Sequence, residues 1–175
     1  MTEPAPEPVS ITPVRFDSEV ARRLVAELDA DLDVRYAGDD DAEGEPDYAM
    51  LNVLTDDVSP PRGMFLVAYL DDEPVGCGAL RPSPTGAEAT AEVKRMYVAP
   101  AARGRGISRR LLAALEDAAA GLGYRAVILE TGIRQHEAMA LYESAGYTPI
   151  PNYGAYRDSS LSRCYTKPLD GADAG

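Results

Sequence analysis

The segment 103–108 combines two arginines and two glycines immediately before a predicted helix. The first N–H groups of a helix have no partner within the helix and carry a partial positive charge, so they attract anions. Gly104 and Gly106 have no Cβ atom, which lets a ligand oxygen approach the backbone closely. Together with the charges of Arg103 and Arg105, these features predict a site for a phosphate or pyrophosphate group.

The same stretch excludes two common phosphate-binding motifs. A P-loop requires Gly-Lys-Ser or Gly-Lys-Thr, and neither tripeptide occurs in the chain. A dinucleotide-binding fingerprint requires a third small residue at position 109, where the chain has arginine. The predicted anion site therefore belongs to neither of these two motif classes.

Metal and thiol chemistry have little support in the composition. The chain has one histidine, His136, and two cysteines, Cys77 and Cys164, too few for a four-ligand zinc site or a disulfide framework. We expect His136 to be exposed in the first turn of a helix and both cysteines to be buried as small apolar residues. We also expect no bound metal.

The elements that position the anion site are predicted to be both helices and strands. Asp17 or Ser18 is expected to cap a first helix, a second helix follows Gly106, and a third covers 135–145. Strands are predicted over 10–16, 64–70, 75–81, 90–98, 125–131, 147–150 and 161–169, and a short helix or turn over 48–54. The order predicts an α/β (α+β) fold with a mixed central sheet of six to seven strands and about four helices. We expect one domain over residues 9–169, between disordered tails at 1–8 and 170–175.

Charge is distributed unevenly along the 175 residues, whose net charge is −12. Residues 1–57 hold 16 acidic and 4 basic side chains, whereas residues 58–175 are neutral overall. Six basic residues between 93 and 115 form an anion-sized patch, unlike the domain-wide basic balance of nucleic-acid binders.

The sequence has no apolar run of 18 residues and no secretory signal. We therefore expect no membrane association and a reducing cytosolic location.

The anion-binding segment and its surroundings resemble the GNAT superfamily of N-acetyltransferases. In that family, Gln/Arg-x-x-Gly-x-Gly/Ala follows a strand and opens a helix, and this chain has Arg103-Gly-Arg-Gly106-Ile-Ser108. The segment QHEAMALYESAGY, from Gln135 to Tyr147, is similar to a second family pattern, Asn-x-x-Ala-x-x-Leu-Tyr-Glu-x-x-Gly-Phe/Tyr. Residues between 129 and 164 also look like a branch of small bacterial members.

The resemblance implies that acetyl-CoA is the acetyl donor. It implies a sheet splayed between the strand that ends at Val98 and the strand 125–131, with the pantetheine arm on the freed backbone of the former. The pyrophosphate would rest on the N–H groups of the loop before the helix. The residues implied to bind CoA are Met96, Tyr97, Val98, Arg103, Gly104, Arg105, Gly106, Ile107, Ser108, Gln135 and Tyr142.

The resemblance further implies direct attack of a primary amine on the thioester within a ternary complex. An alkyl amine has a pKa of about 10.4 and must lose a proton before it attacks. Glu92 matches a general-base position of some members, although a solvent-facing strand glutamate paired with Lys94 or Arg81 is an equal alternative. Tyr142 matches a general-acid position that protonates the leaving thiolate, and its ring can pack in the core at the same time.

The sequence constrains the acceptor substrate less than it constrains the acetyl donor or the catalytic residues. Acidic residues between 31 and 47, with Tyr36, Tyr48, Tyr153 and Tyr156, would favour a small cationic or aromatic amine, while a solvated acidic loop explains the same run. A protein lysine or N-terminus as acceptor and a non-catalytic acyl-CoA sensor both stay open. Nucleic acid is disfavoured as a partner, and a homodimer is an expectation from the resemblance alone.

Overall fold

The computed structural model describes residues 8–37 and 53–169. Their elements are β1 (Val9–Pro13), α1 (Glu19–Tyr36), β2 (Met64–Leu70), β3 (Glu73–Pro82), β4 (Thr90–Val98), α2 (Ile107–Gly121), β5 (Ala126–Gly132), α3 (His136–Ser144), β6 (Thr148–Ile150) and β7 (Ser162–Pro168). The predicted tails lie outside the described residues except for Pro8, and of the element expected at 48–54 only Val53 and Leu54 are described. Neither of these two residues is helical.

The seven strands form one mixed sheet in the order β1-β2-β3-β4-β5-β7-β6. β4 and β5 are parallel, and the other neighbours are antiparallel. The predicted mixed sheet is confirmed. The described part of the chain has three of the about four helices expected, and the remaining one, expected at 48–54, lies mostly outside the described residues.

Alternate side chains of the central strands fill two separate apolar layers, because successive residues of a strand point to opposite faces. Leu66 and Val93 belong to the layer that contains the leucines of α2, whereas Phe65 and Val67 belong to the layer that contains Leu24 of α1. The helices thus cover opposite faces of the sheet. No helix within the described ranges is long and apolar enough to cross a bilayer.

A bulge in β4 precedes a gap in the sheet. Cys77 of β3 pairs with Tyr97, but Ala79 pairs with Lys94, so β4 has one extra residue over this stretch. Arg95, inside the bulge, has a left-handed backbone with φ of 57°. A bulge bends a strand and increases its local twist, which turns the end of β4 away from its neighbour.

The parallel pairing of β4 with β5 accordingly runs only from Thr90–Ala126 to Val93–Leu129. Beyond that pair, the residues from Lys94 to Val98 have no β5 partner, and the end of β5 pairs only with β7. The splay predicted from the resemblance is therefore present, between the two strands named for it.

The apolar layer under α2 is expected to dominate stability. Leu111 is fully buried in it, so we expect Leu111→Ala to lower the free energy of unfolding by about 2–5 kcal/mol, through lost transfer energy and a cavity. Urea denaturation followed by circular dichroism measures the change. The matched control Leu54→Ala, at a leucine that is 62% exposed, should change it by less than about 0.5 kcal/mol. Equal effects of the two substitutions would contradict this view of the core.

Candidate active site

A cavity of about 270 Å³ lies between the end of β4, the loop that leads into α2, and α3. Leu28, Asp31 and Arg35 of α1 close one side of it. The sequence did not mark these α1 residues, because they reach the cavity only through the packing of α1 on the sheet. Ten of the predicted CoA-binding residues line the cavity: Met96, Tyr97, Val98, Arg103, Gly104, Gly106, Ile107, Ser108, Gln135 and Tyr142. Arg105, the remaining one, is exposed and does not belong to this lining.

The loop before α2 lines this cavity, and the first N–H groups of that helix have no partner within the helix. Gly106 occupies the N-cap position and has no side chain to cap the helix. Gly104 and Gly106 have φ values of 78° and 73°, a left-handed conformation that favours glycine. An added Cβ would meet nothing within 4 Å at either position, so the space above the loop is open. The arrangement suits an anion bound by backbone N–H groups.

Arg103 fixes this loop through two contacts. Its Nε donates to the carbonyl of Val98 at 2.9 Å, and its Nη2 donates to Asp31 of α1 at 3.0 Å. Asp31 also accepts from Arg35 at 2.9 Å, and Arg35 in turn reaches Glu137 of α3 at 3.1 Å. A chain of ion pairs therefore joins α1, the loop and α3 around the cavity.

These ion pairs decide the charge state of Asp31. Burial by itself would raise the pKa of this carboxyl, but hydrogen bonds from Arg103 and Arg35 outweigh burial, so the pKa is lowered. Asp31 is consequently ionised and engaged at neutral pH. Among the acidic residues expected to attract a cationic acceptor, those from Asp39 to Asp47 lie outside the described residues, as does Tyr48.

Tyr142 forms part of the cavity wall and of the core at once. It is 5% exposed, and its ring packs edge-on against Tyr147 with centroids 5.8 Å apart and tilted against Tyr165 at 6.2 Å. Burial, followed by the charge of Glu130, raises the pKa of its phenol well above the usual range. The hydroxyl is therefore protonated at neutral pH, as a proton donor must be.

Glu92 does not line the cavity, and its partners lie on the face of the sheet away from α2. Its side chain is 1% exposed, so a solvent-facing position is wrong, although the pairing with Arg81 occurs. Arg81 Nε donates to Oε2 at 2.7 Å, and the Tyr153 hydroxyl donates to Oε1 at 2.9 Å. Lys94 Nζ lies 3.9 Å from Oε1. The structure thus brings Tyr142 into the cavity wall but not Glu92.

Glu130 is a candidate that the sequence analysis missed. It follows Leu129, the last residue of β5 that pairs with β4, and it lies on the same face of the sheet as Ile128. Burial raises the pKa of this carboxyl, and interactions with Ser162 and Lys94 oppose the rise. The available signal was one acidic residue inside the apolar strand RAVILET.

The histidine and the cysteines stand where the sequence placed them. His136 is exposed at the start of α3, and Cys77 and Cys164 are buried. Burial raises the pKa of Cys77 to about 12 and that of Cys164 to about 11, so both thiols are protonated and unreactive at neutral pH. Within residues 8–37 and 53–169, no group of three or more His, Cys, Asp or Glu side chains could hold a metal ion.

The buried ion pair of Glu92 and Arg81 has a measurable structural role. We expect Glu92→Ala to lower the free energy of unfolding by about 3–5 kcal/mol, because it leaves a buried guanidinium without its partner. The double substitution Arg81→Met with Glu92→Leu should recover part of the loss, since the buried guanidinium is then removed, although Lys94 still lacks Glu92. Urea denaturation of the three variants measures both effects, and additive losses in the double variant would show that the pair is not coupled.

Comparison with known proteins agrees with this geometry. The sequence matches the Acetyltransferase (GNAT) family over residues 24–147. It is 40% identical over 147 residues to an IAA acetyltransferase of Azospirillum brasilense, covering 84% of this chain and 89% of that protein. A proposed acyl-CoA N-acyltransferase from Klebsiella pneumoniae subsp. pneumoniae is 31% identical in sequence. Its solved structure gives a TM-score of 0.72 over 92% of this chain and 97% of that chain.

A more distant structure shows the same fold. The PaiA N-acetyltransferase from Thermoplasma acidophilum, solved in complex with coenzyme A, is 16% identical, with a TM-score of 0.65 over 92% of this chain and 99% of that chain. The range matched by the family contains both the loop at 103–108 and Tyr142. The fold, the cavity and these matches show that the chain belongs to the GNAT family of acetyltransferases and is an N-acetyltransferase.

Proposed function

We propose that this enzyme transfers an acetyl group from acetyl-CoA to the primary amine of a small molecule, by direct attack in a ternary complex. One observation supports this most strongly: the cavity lies at the splay of β4 and β5 and is bounded by the N-terminus of α2 and by Tyr142. A nucleotide anion at the helix and a thioester near the splay fit this arrangement. The coenzyme A complex of the Thermoplasma protein, which has the same fold, is in keeping with it.

The donor would be held by the loop and by the free edge of β4. The N–H groups at the start of α2 and the guanidinium of Arg103 would bind the pyrophosphate. The pantetheine amides would pair with backbone groups of Met96–Val98, which have no β5 partner. Gln135, at the N-cap of α3, lines the cavity and would contact the same arm.

The chemical step forms a bond between the amine nitrogen and the carbonyl carbon and breaks the bond between that carbon and sulfur. A backbone N–H near Met96–Val98 would stabilise the oxyanion that forms between the two events. Tyr142 would give its phenolic proton to the departing thiolate sulfur. Its raised pKa means that the phenol carries this proton at neutral pH.

Two carboxyls compete for the proton of the attacking amine. Glu92 was predicted for this role, but both of its oxygens are engaged, by Arg81 and by Tyr153. Glu130 stands at the splay itself, and burial moves the pKa of its carboxyl upward, toward the operating pH. We therefore propose Glu130 as the base and assign Glu92 the task of fixing Arg81 and Tyr153.

The chemical class of the acceptor has less support than the identity of the donor. An acidic segment and tyrosines in the sequence support a cationic or aromatic amine, and Tyr153 and Tyr156 contact each other edge-on at 6.5 Å near Lys94. A protein lysine or N-terminus as acceptor and a catalytically silent acyl-CoA sensor are the alternatives. We also propose a homodimer, for which the only support is that many GNAT proteins dimerise.

The proposed function is tested by release of CoA thiol from acetyl-CoA against amino acids, polyamines, aminoglycosides, aryl amines and lysine or N-terminal peptides. We expect turnover with a small amine and a loss of about 100-fold in kcat for Tyr142→Phe, the lower end of general-acid contributions. The matched control is Tyr165→Phe, whose hydroxyl contacts Glu143 at 3.1 Å and does not line the cavity. It should keep nearly full activity. Acetyl-CoA binding with no turnover across the panel would support the sensor instead.

The choice of base is tested by the pH dependence of kcat/KM. A base acts only when deprotonated, so activity should rise as the pH passes upward through the raised pKa of Glu130 and fall below it. We expect Glu130→Gln to reduce kcat/KM by about 100-fold and to remove this acidic limb. Glu92→Gln keeps an acceptor oxygen for Arg81 and can donate from its NH2 group to the Tyr153 hydroxyl, so it should retain the limb. The reverse result would return the role of base to Glu92.

A further inference from the structure

Lys94 lies at the point where the pairing between β4 and β5 ends. It directly follows Val93, the last residue of β4 that pairs with β5. Val93 faces the layer beneath α2, so Lys94 faces the opposite side, with Glu92. Its side chain is 11% exposed, which is unusual for a lysine. An ammonium group in such a place needs partners that compensate for lost water.

The partners of this ammonium are incomplete. Lys94 Nζ donates one hydrogen bond, to the Tyr156 hydroxyl at 3.0 Å, although an ammonium has three donors. Glu92 Oε1, at 3.9 Å, is beyond hydrogen-bond distance and already accepts from Tyr153. Among the described residues, the lysine therefore has two N–H donors with no acceptor.

Charges of both signs surround this ammonium. Glu92 lies between two cations, Arg81 and Lys94, and is bonded to the former. Burial lowers the pKa of Lys94, the carboxyls of Glu92 and Glu130 oppose this, and the like charges of Arg81 and Arg95 lower it further. A ligand carboxylate beside the ammonium would supply the missing hydrogen-bond acceptors.

The hydroxyl of Tyr156 has matching capacity. It accepts the hydrogen bond from Lys94, so its own proton is free to be donated to an anion. Burial raises the pKa of this phenol, and the charges of Glu130 and Glu92 raise it further, which keeps the proton on the oxygen. Lys94 and Tyr156 thus offer N–H and O–H donors from neighbouring atoms.

We propose that Lys94 and Tyr156 form a carboxylate-binding subsite, so that the acceptor is a small amine that also bears a carboxylate, as an amino acid does. This inference rests on the proposed function, because it assigns the second group of the same acceptor. The carboxylate would lie beside this hydrogen-bonded pair and accept from both the ammonium and the phenol, and the amine would point along the splay toward the thioester. A purely cationic acceptor would instead place its charge beside Lys94, Arg81 and Arg95.

Matched acceptors test the subsite directly. Phenylalanine, phenylalaninamide and phenethylamine share an amine and a ring, but only the first has a carboxylate. We expect wild-type kcat/KM to be roughly 10- to 100-fold higher for phenylalanine than for either analogue without a carboxylate, as for a charge-assisted hydrogen bond. In Lys94→Met the ratio should fall to about 1, and in Tyr156→Phe it should fall partway. The control Lys167→Met removes another ion-paired lysine, bound to Glu116 at 2.7 Å, and should keep the wild-type ratio.

A second measurement separates failure of the subsite from failure of the enzyme reaction. Isothermal titration of phenylalanine and phenylalaninamide into the protein saturated with CoA reports binding without turnover, and thermal melting checks that each variant is folded. Turnover with equal rates for acid and amide in wild type would overturn the subsite and leave the proposed function standing. Binding of phenylalanine that depends on Lys94, without turnover of any amine, would support the subsite and overturn the proposed function. Neither binding nor turnover would overturn both.

Discussion

The loss of pairing between β4 and β5 after Val93–Leu129 is the constraint on which the rest of the site depends. A parallel pair that continued to the strand ends would close the sheet and leave no unpaired backbone in its middle. The bulge at Arg95 prevents this, with one extra residue and a left-handed backbone. The backbone groups from Lys94 to Val98 therefore have no partner on β5, in the centre of the sheet.

The splay is open to both faces of the sheet, and the two faces differ in chemistry. On one side, the cavity lies next to the N-terminus of α2, where Arg103 and backbone N–H groups provide positive charge for a nucleotide anion. On the other side, Glu92, Lys94 and Glu130 form a buried polar group beneath Tyr153 and Tyr156.

Ion pairs around the cavity connect these parts mechanically. Asp31 holds Arg103, and through Arg35 it connects α1 to Glu137 of α3. The first of these contacts spans 72 positions of sequence and joins the helix that packs beneath the sheet to the loop that precedes α2. The loop at 103–108 is thereby positioned by α1, which is distant in sequence, and not only by its own glycines.

Most strands and helices, and the loop proposed to bind the donor, could be predicted from the sequence. The bounds of β2 and β4 were predicted to the residue, and the loop 103–108 was identified, because hydrophobic period, turn residues and a helix start are local properties. The surroundings of Glu92, the position of Glu130 at the splay and the partners of Lys94 were decided only by the tertiary structure. Each depends on sheet register, on the bulge and on side chains such as Tyr153 and Tyr156, which lie about 60 positions away in sequence. A local pattern contains no information about which of these distant groups will meet.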